Sequence, residues 1–137
     1  MAKAPRRAKG PRGFPDLGRL DICLDVTSLA RSAAFYEALG FREVEGNRSE
    51  GWAVLARGGV RVGLFHGFIK SNVLNFRGGD VPAIVRALER AKVEPYEVKF
   101  VDRKGAGRAS VRDPDGNVIF FDTTPKEREA RKRVRKR

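Results

Sequence analysis

From Leu20 to Val26 the apolar residues Leu20, Ile22, Leu24 and Val26 alternate with Asp21, Cys23 and Asp25. This period of two predicts a strand with one face on a core and the other polar. Leu29, Ala33, Tyr36 and Leu39 then recur at helical spacing, with Thr27 or Ser28 placed to cap the helix and Gly40 placed to stop it. Three short strands are predicted next, at Phe41–Val44, Trp52–Ala56 and Val60–Phe65, the last two joined by a turn at Arg57-Gly58-Gly59. The stretch from Gly46 to Gly51 reads as a flexible loop. The order is β-α-β-β-β.

The same order begins again at Val73. Leu74 and Phe76 alternate with Val73, Asn75 and Arg77; Asp80 can cap a helix in which Val81, Ile84, Val85 and Leu88 form one apolar stripe. Pro82 falls in its first turn, where a missing N–H does no harm. Strands follow at Tyr96–Val101, Arg108–Val111 and Val118–Phe121, the last two joined through Asp113-Pro114-Asp115-Gly116-Asn117. A shift of 52 residues lays Ile22 on Leu74, Leu24 on Phe76, Leu29 on Val81, Ala33 on Val85 and Tyr36 on Leu88, apolar on apolar throughout. Such self-similarity predicts a duplicated unit. The fold class expected is α+β, two βαβββ modules at about 19–68 and 71–124, each with its helix on one sheet face. The bare faces then surround a concave space, the natural ligand site.

Composition adds limits. A chain of 137 residues suits one domain, and no apolar run approaches the roughly 20 residues of a membrane span. No apolar segment follows the basic N-terminus, so a soluble, cytoplasmic protein without a membrane role is expected. Cys23 is the only cysteine, which leaves no intrachain disulfide and no Cys-rich zinc site. The net charge of +12 belongs to the ends: residues 1–19 hold six basic side chains against Asp16, residues 124–137 hold eight against Glu127 and Glu129, and the remainder is nearly balanced at 15 basic to 14 acidic. Residues 1–18 therefore read as a flexible basic arm and 125–137 as a basic tail. The tail is made of helix formers with only Val134 to bury, and without a partner it should fray. Such a run either solubilises or docks a subunit, or binds nucleic acid non-specifically through its phosphates.

The residues from Leu20 to Val26, followed by Ser28-Leu29 and by Phe35-Tyr36-Glu37-Ala38-Leu39-Gly40-Phe41, resemble the opening strand and helix end of the vicinal oxygen chelate superfamily, which includes glyoxalase, the bleomycin resistance proteins and extradiol dioxygenases. Asp113 to Asn117, with Val118-Ile119-Phe120 behind it, is similar to the hairpin before that family's last strand. The likeness spans about residues 19–124. In the family's metalloenzymes a divalent ion is held by a residue early in the first strand of each module and another late in each module; matched strand to strand, the four places fall on Asp21, Gly63, Val73 and Phe120. Only Asp21 is able to bind a metal, so the resemblance implies that the metal site and every cofactor are absent. Isomerisation, ring cleavage and thiol transfer of the metal-dependent kind are then not expected. A nearly neutral body also suits a cationic, bleomycin-like drug poorly.

Alternation places Asp21, Cys23, Asp25, Asn75, Arg77, Phe65, Phe120 and Asp122 on the cavity face, carboxylates and a guanidinium to orient a ligand and rings to stack on it. The competing expectation is that Asp21 or Asp25 simply pairs with Arg77. Trp52 either covers the cavity mouth or packs in a core or between subunits. His66 falls on the face opposite Phe65, and Cys23 has no neighbouring base in sequence to activate it. The function expected is metal-independent binding of a small, partly aromatic or anionic molecule, by a homodimer as the resemblance implies. The alternatives are a lyase, isomerase or dioxygenase of the same superfamily, with a metal held in another register or acid–base chemistry at Asp21 or Asp25, and non-specific nucleic-acid binding through the tails.

Overall fold

In a computed structural model, which describes residues 14–102 and 104–135, the chain runs β1 (Gly18–Asp25), α1 (Leu29–Ala38), β2 (Arg42–Asn47), β3 (Trp52–Arg57), β4 (Val60–Phe65), β5 (Val73–Gly78), α2 (Val81–Arg90), β6 (Glu97–Phe100), β7 (Gly107–Arg112), β8 (Val118–Thr123) and α3 (Pro125–Arg135). The two βαβββ modules are thus present, each with a capped helix after its first strand. Ser28 accepts from Arg31 N at the start of α1; Asp80 accepts from Ala83 N at the start of α2, with Pro82 in the first turn.

The strands form one open mixed sheet in the order β2-β3-β4-β1-β5-β8-β7-β6. In each module the first strand runs parallel to the last, and the modules join through antiparallel pairing of β1 with β5. This is the concave mixed sheet expected of two βαβββ modules, and the pairing of β1 with β5 leaves neither strand with a row of unpaired backbone groups. Ile22 lies opposite Leu74, and these are the residues that the 52-residue repeat superimposes, so a pseudo-twofold axis passes through that pair. Cys23 pairs with Gly63 and Asn75 with Phe120, which makes Gly63 and Phe120 equivalent places in the two modules.

Each helix covers its own core on the same side of the sheet. Ala33 of α1 packs with Ala53, Leu55, Val62 and Leu64; Val81, Ile84, Val85 and Leu88 of α2 pack with Ala109, Val111 and Phe121. Every second strand residue points the other way, into the concave face. No helix among the described residues is long and apolar enough to cross a membrane.

Three segments differ from their sequence reading. Residues 46–51 are not a free loop: β2 continues to Asn47, paired with Trp52, and a single 3-10 turn follows at Arg48–Glu50, with Arg48 held by Glu43 at 2.8 Å and Glu37 at 3.1 Å. Every β2 side chain is exposed, so no alternation marked its continuation past Val44. Gly46, at φ +143°, lies so close to β3 that a Cβ would sit 2.7 Å from Ala53 Cα. In the N-terminal arm, Phe14 and Leu17 pack against the α2 core, while residues 1–13 fall outside the described residues. The C-terminal tail is α3, opened by a reciprocal cap: Glu127 N donates to Thr124 Oγ1 at 3.1 Å and Thr124 N to Glu127 Oε1 at 3.2 Å. Ion pairs of Glu127 with Arg77 and of Arg128 with Asp102 tie that first turn to the body.

Candidate functional site

The concave face holds a cleft of about 760 Å³, built by both modules of the one chain. Asp21 and Cys23 reach it from β1, Trp52 from β3, Gly63 and Phe65 from β4. Val73, Asn75 and Arg77 reach it from β5, and Val118, Phe120 and Asp122 from β8. These are the odd positions of β1, β4 and β5 and the even ones of β3 and β8, as strand alternation dictates. Sequence reasoning did not single out the inter-module linker Phe68–Ser71, nor Tyr96, Glu97, Ser110 and Arg112, all of which line the cleft as well.

One end is aromatic. The rings of Trp52 and Phe65 stack with centroids 6.2 Å apart and planes 5° apart, and Phe68 meets Phe65 edge-on at 6.3 Å. Trp52 is thus a cleft residue; its position opposite Phe65 in the β3–β4 register puts it there. The other end is charged. Asp21, 2% exposed, accepts from Arg61 Nε at 2.9 Å and Arg19 Nε at 3.3 Å. Arg61 stands opposite it on β4, a neighbour set by the parallel register. The expected pairing of Asp21 or Asp25 with Arg77 is not formed. Arg77 instead contacts Glu127 at 3.1 Å, Glu45 at 3.4 Å and Asp122 at 3.9 Å, because β2, β8 and the first turn of α3 bring carboxylates closer than β1 does. Burial alone would ease its proton off, but these three carboxylates raise its pKa.

Asp25, at the last position of β1, lies outside the cleft and lines a shallow depression with Arg31 and Asn72, whose Oδ1 accepts from Asp25 N at 3.0 Å. His66 is exposed, its Nδ1 3.1 Å from the Val26 carbonyl, and it too stands apart.

Two further groups lining the cleft have perturbed protonation. Burial, then the nearby Asp21 and Asp122 carboxylates, push the Cys23 thiol up to about 12, with Arg77 opposing. At pH 8 it should carry about a thousandfold less thiolate than an ordinary cysteine. Ellman's reagent is therefore expected to react with Cys23 only after denaturant is added; prompt stoichiometric release from the native protein would contradict this. Asp122 is raised above the usual carboxylate range by burial, against a hydrogen bond donated by Asn75 Nδ2 at 2.7 Å and the charge of Arg77. A carboxyl raised in the folded state stabilises the fold at low pH and loses that contribution as pH rises through its folded value. Asp122→Asn, which cannot titrate, should gain stability relative to the parent as pH rises from about 4. Urea denaturation at several pH values tests it: a parent–variant gap that stays constant with pH refutes the assignment.

At the four positions that the resemblance matches to metal ligands, the side chains present offer little to an ion. The Asp21 carboxylate is spanned by two guanidiniums, whose charge opposes a second cation. At Gly63 the space for a side chain is taken by the Phe65 ring, which would lie 2.7 Å from a Cβ, and Val73 and Phe120 offer no donor atom. Among the described residues no three His, Cys, Asp or Glu side chains converge.

No protein-family model and no curated protein sequence matches the chain. Solved structures do. An NAD-dependent benzaldehyde dehydrogenase from Legionella pneumophila matches at TM-score 0.62 and 18% identity, over 76% of this chain and 97% of that one. A glyoxalase/bleomycin resistance protein/dioxygenase superfamily member from Vibrio splendidus 12B01 matches at 0.61 and 18%, over 77% and 98%. A methylmalonyl-CoA epimerase from Streptomyces coelicolor, in complex with 2-nitronate-propionyl-CoA, matches at 0.55 and 16%, over 82% and 96%. The resemblance read from the sequence therefore holds for the architecture: the chain is built on the vicinal oxygen chelate fold. A dehydrogenase and an epimerase are among the neighbours of one architecture, so the likeness carries no reaction with it.

Proposed function

We propose that the chain binds a small molecule with a flat apolar body in the concave cleft, without a metal ion. The observation that supports this best is the union of a roomy, two-module cleft with the stacked Trp52–Phe65 wall, at the very place where relatives need metal ligands and this chain has a ring, a glycine, a valine and a guanidinium-bound carboxylate. A neutral aromatic body gains dispersion and desolvation against such a wall and needs no charge to hold it.

Trp52 is the chain's one tryptophan and lines the cleft, so its emission reports occupancy directly. N-phenylnaphthylamine is expected to quench it saturably at micromolar concentration, unaffected by a chelator. Phe120→Ala should weaken binding by about tenfold through lost ring contact. Failure of any aromatic probe to perturb Trp52 or raise the melting temperature would overturn the reading, and loss of binding on chelation would overturn its metal independence.

A second reading, an acid–base enzyme on the same cleft, is favoured by Asp122 rather than by Asp21 or Asp25. Asp21 is engaged by two arginines and Asp25 lies elsewhere, whereas Asp122 is a cleft carboxyl whose raised pKa suits proton transfer. Under this reading Asp122→Asn abolishes turnover of a substrate that it still binds. Nucleic-acid binding through the tail has to be tested by charge reversal at Lys126 and Lys132 with a salt-dependent gel shift. Truncating residues 125–137 would also remove Glu127, the Arg77 partner. For the homodimer, Leu20 and Leu74 are apolar and partly exposed on the helix side of the two central strands. Sedimentation as a 15.2 kDa species at micromolar concentration would exclude it.

A further inference from the structure

The charges around the cleft are not evenly committed. At the end where β1 begins, the three described arginines have carboxylate partners: Arg61 holds Asp21 and Glu45, Arg19 holds Asp21, and Arg77 sits among Glu45, Asp122 and Glu127. An anion arriving there would meet Asp21 and Asp122 as well, and the arginines have no charge to spare for it. At the opposite end stand Lys70, on the inter-module linker, and Arg112, at the end of β7. Both line the cleft, and among the described residues neither has a carboxylate oxygen within 4.0 Å. The one acidic side chain lining the cleft there, Glu97, faces Arg108 at 3.6 Å. Arg112 lies with its Cζ 3.9 Å over the Tyr96 ring, an arrangement that fixes the plane of the guanidinium and leaves its in-plane N–H donors for a ligand.

The spacing is measurable along the sheet. Arg112 pairs with Val118, and Asp122 lies four residues further along β8, a separation of ~13 Å at the rise of a strand. The aromatic wall of Trp52 and Phe65 belongs to the Lys70 end, since Phe65 closes β4 just before the linker. We infer that Lys70 and Arg112 form an anion subsite, so that the cleft selects apolar, two- or three-ring molecules carrying a single carboxylate, sulfonate or phosphate at that end. This rests on the cleft-binding reading above and adds to it the sign and place of the ligand's charge.

Two probes identical but for the anion separate the two claims. N-phenylnaphthylamine is neutral and anilinonaphthalene sulfonate carries one negative charge; energy transfer from Trp52 reads both. The sulfonate should bind about tenfold more tightly than the neutral probe at low salt, as one charge-assisted contact implies, and its advantage should shrink as salt rises. In the Lys70→Gln/Arg112→Gln double variant, both positions being exposed, the affinity ratio should fall to about one. The ratio is insensitive to any general loss of binding. If both probes bind equally, or the ratio survives the double substitution, the anion subsite is wrong while cleft binding stands. If neither probe receives energy from Trp52, cleft binding itself fails and the subsite with it.

Discussion

Asp21→Ala is expected to cost about 3 kcal/mol of folding stability, the low end of what breaking one side of a buried ion pair removes, and to lower the melting temperature by roughly 10 °C. Asp21 is the one charged residue among the largest fully buried side chains, and both of its protein bonds fall on Oδ1, from Arg61 and Arg19. Without it Arg19, half exposed, turns to water at little cost. Arg61 is only 17% exposed and keeps Glu45 at 3.1 Å as its remaining partner, which is why the loss stays at the low end. Asp21→Asn keeps the shape and one acceptor and should fall between parent and alanine. Pairing Asp21→Leu with Arg61→Met should recover part of the loss, because an apolar pair of similar volume carries no desolvation penalty. Urea unfolding of the parent and the three variants measures all of this. An alanine variant within about 1 kcal/mol of the parent would mean that the pair is solvated and that the cleft floor is not the fixed charge structure described.

Which side chains share a face was legible from alternation, and the 52-residue repeat named the pair, Ile22 and Leu74, through which the modules join. What a local pattern does not carry is the neighbour across a gap. Asp21 meets Arg61 and not Arg77 because β4 lies parallel beside β1 with Asp21 opposite Arg61, a register set by where the chain turns forty residues later. Arg61 shares its parity with Gly63 and Phe65, so its face could have been read, though not its partner. Lys70, Tyr96 and Arg112 stayed hidden for a similar reason: two lie on connections or strand starts, which have no periodicity. The strand at Phe41–Val44 was read from the sequence, but its continuation to Asn47 was read as loop, because an edge strand exposed on both faces gives no alternation. The start of α3 did carry a signal, Thr124 followed at three residues by Glu127, but a run so basic and so poor in apolar residues argued against a docked helix. Two ion pairs, invisible in sequence, tether it.

Gly63→Glu would place a carboxylate at the position that the resemblance matches to a metal ligand, and it is expected to destroy the site rather than create a metal centre. A Cβ at this position would lie 2.7 Å from Phe65 Cε2 and 3.5 Å from Cys23 Sγ, so the Phe65 ring has to swing away from its stack on Trp52. The new charge would then sit in a buried position near Asp21 and Asp122 with no uncommitted cation at that end of the cleft, a desolvated and repelled carboxylate costing about 3 kcal/mol or more. Affinity for N-phenylnaphthylamine should fall by at least about tenfold with the aromatic wall lost, and Trp52 emission should move to longer wavelength as water reaches it. Gly63→Ala, which needs only the far end of the Phe65 ring to yield, separates the steric from the electrostatic part: it should disturb Trp52 and probe binding while costing far less stability. A Gly63→Glu protein that binds Mn2+ or Zn2+ stoichiometrically and regains stability on doing so would show that Arg61 and Arg19 release Asp21 to a metal. The metal-independent reading of the cleft would then have to be abandoned.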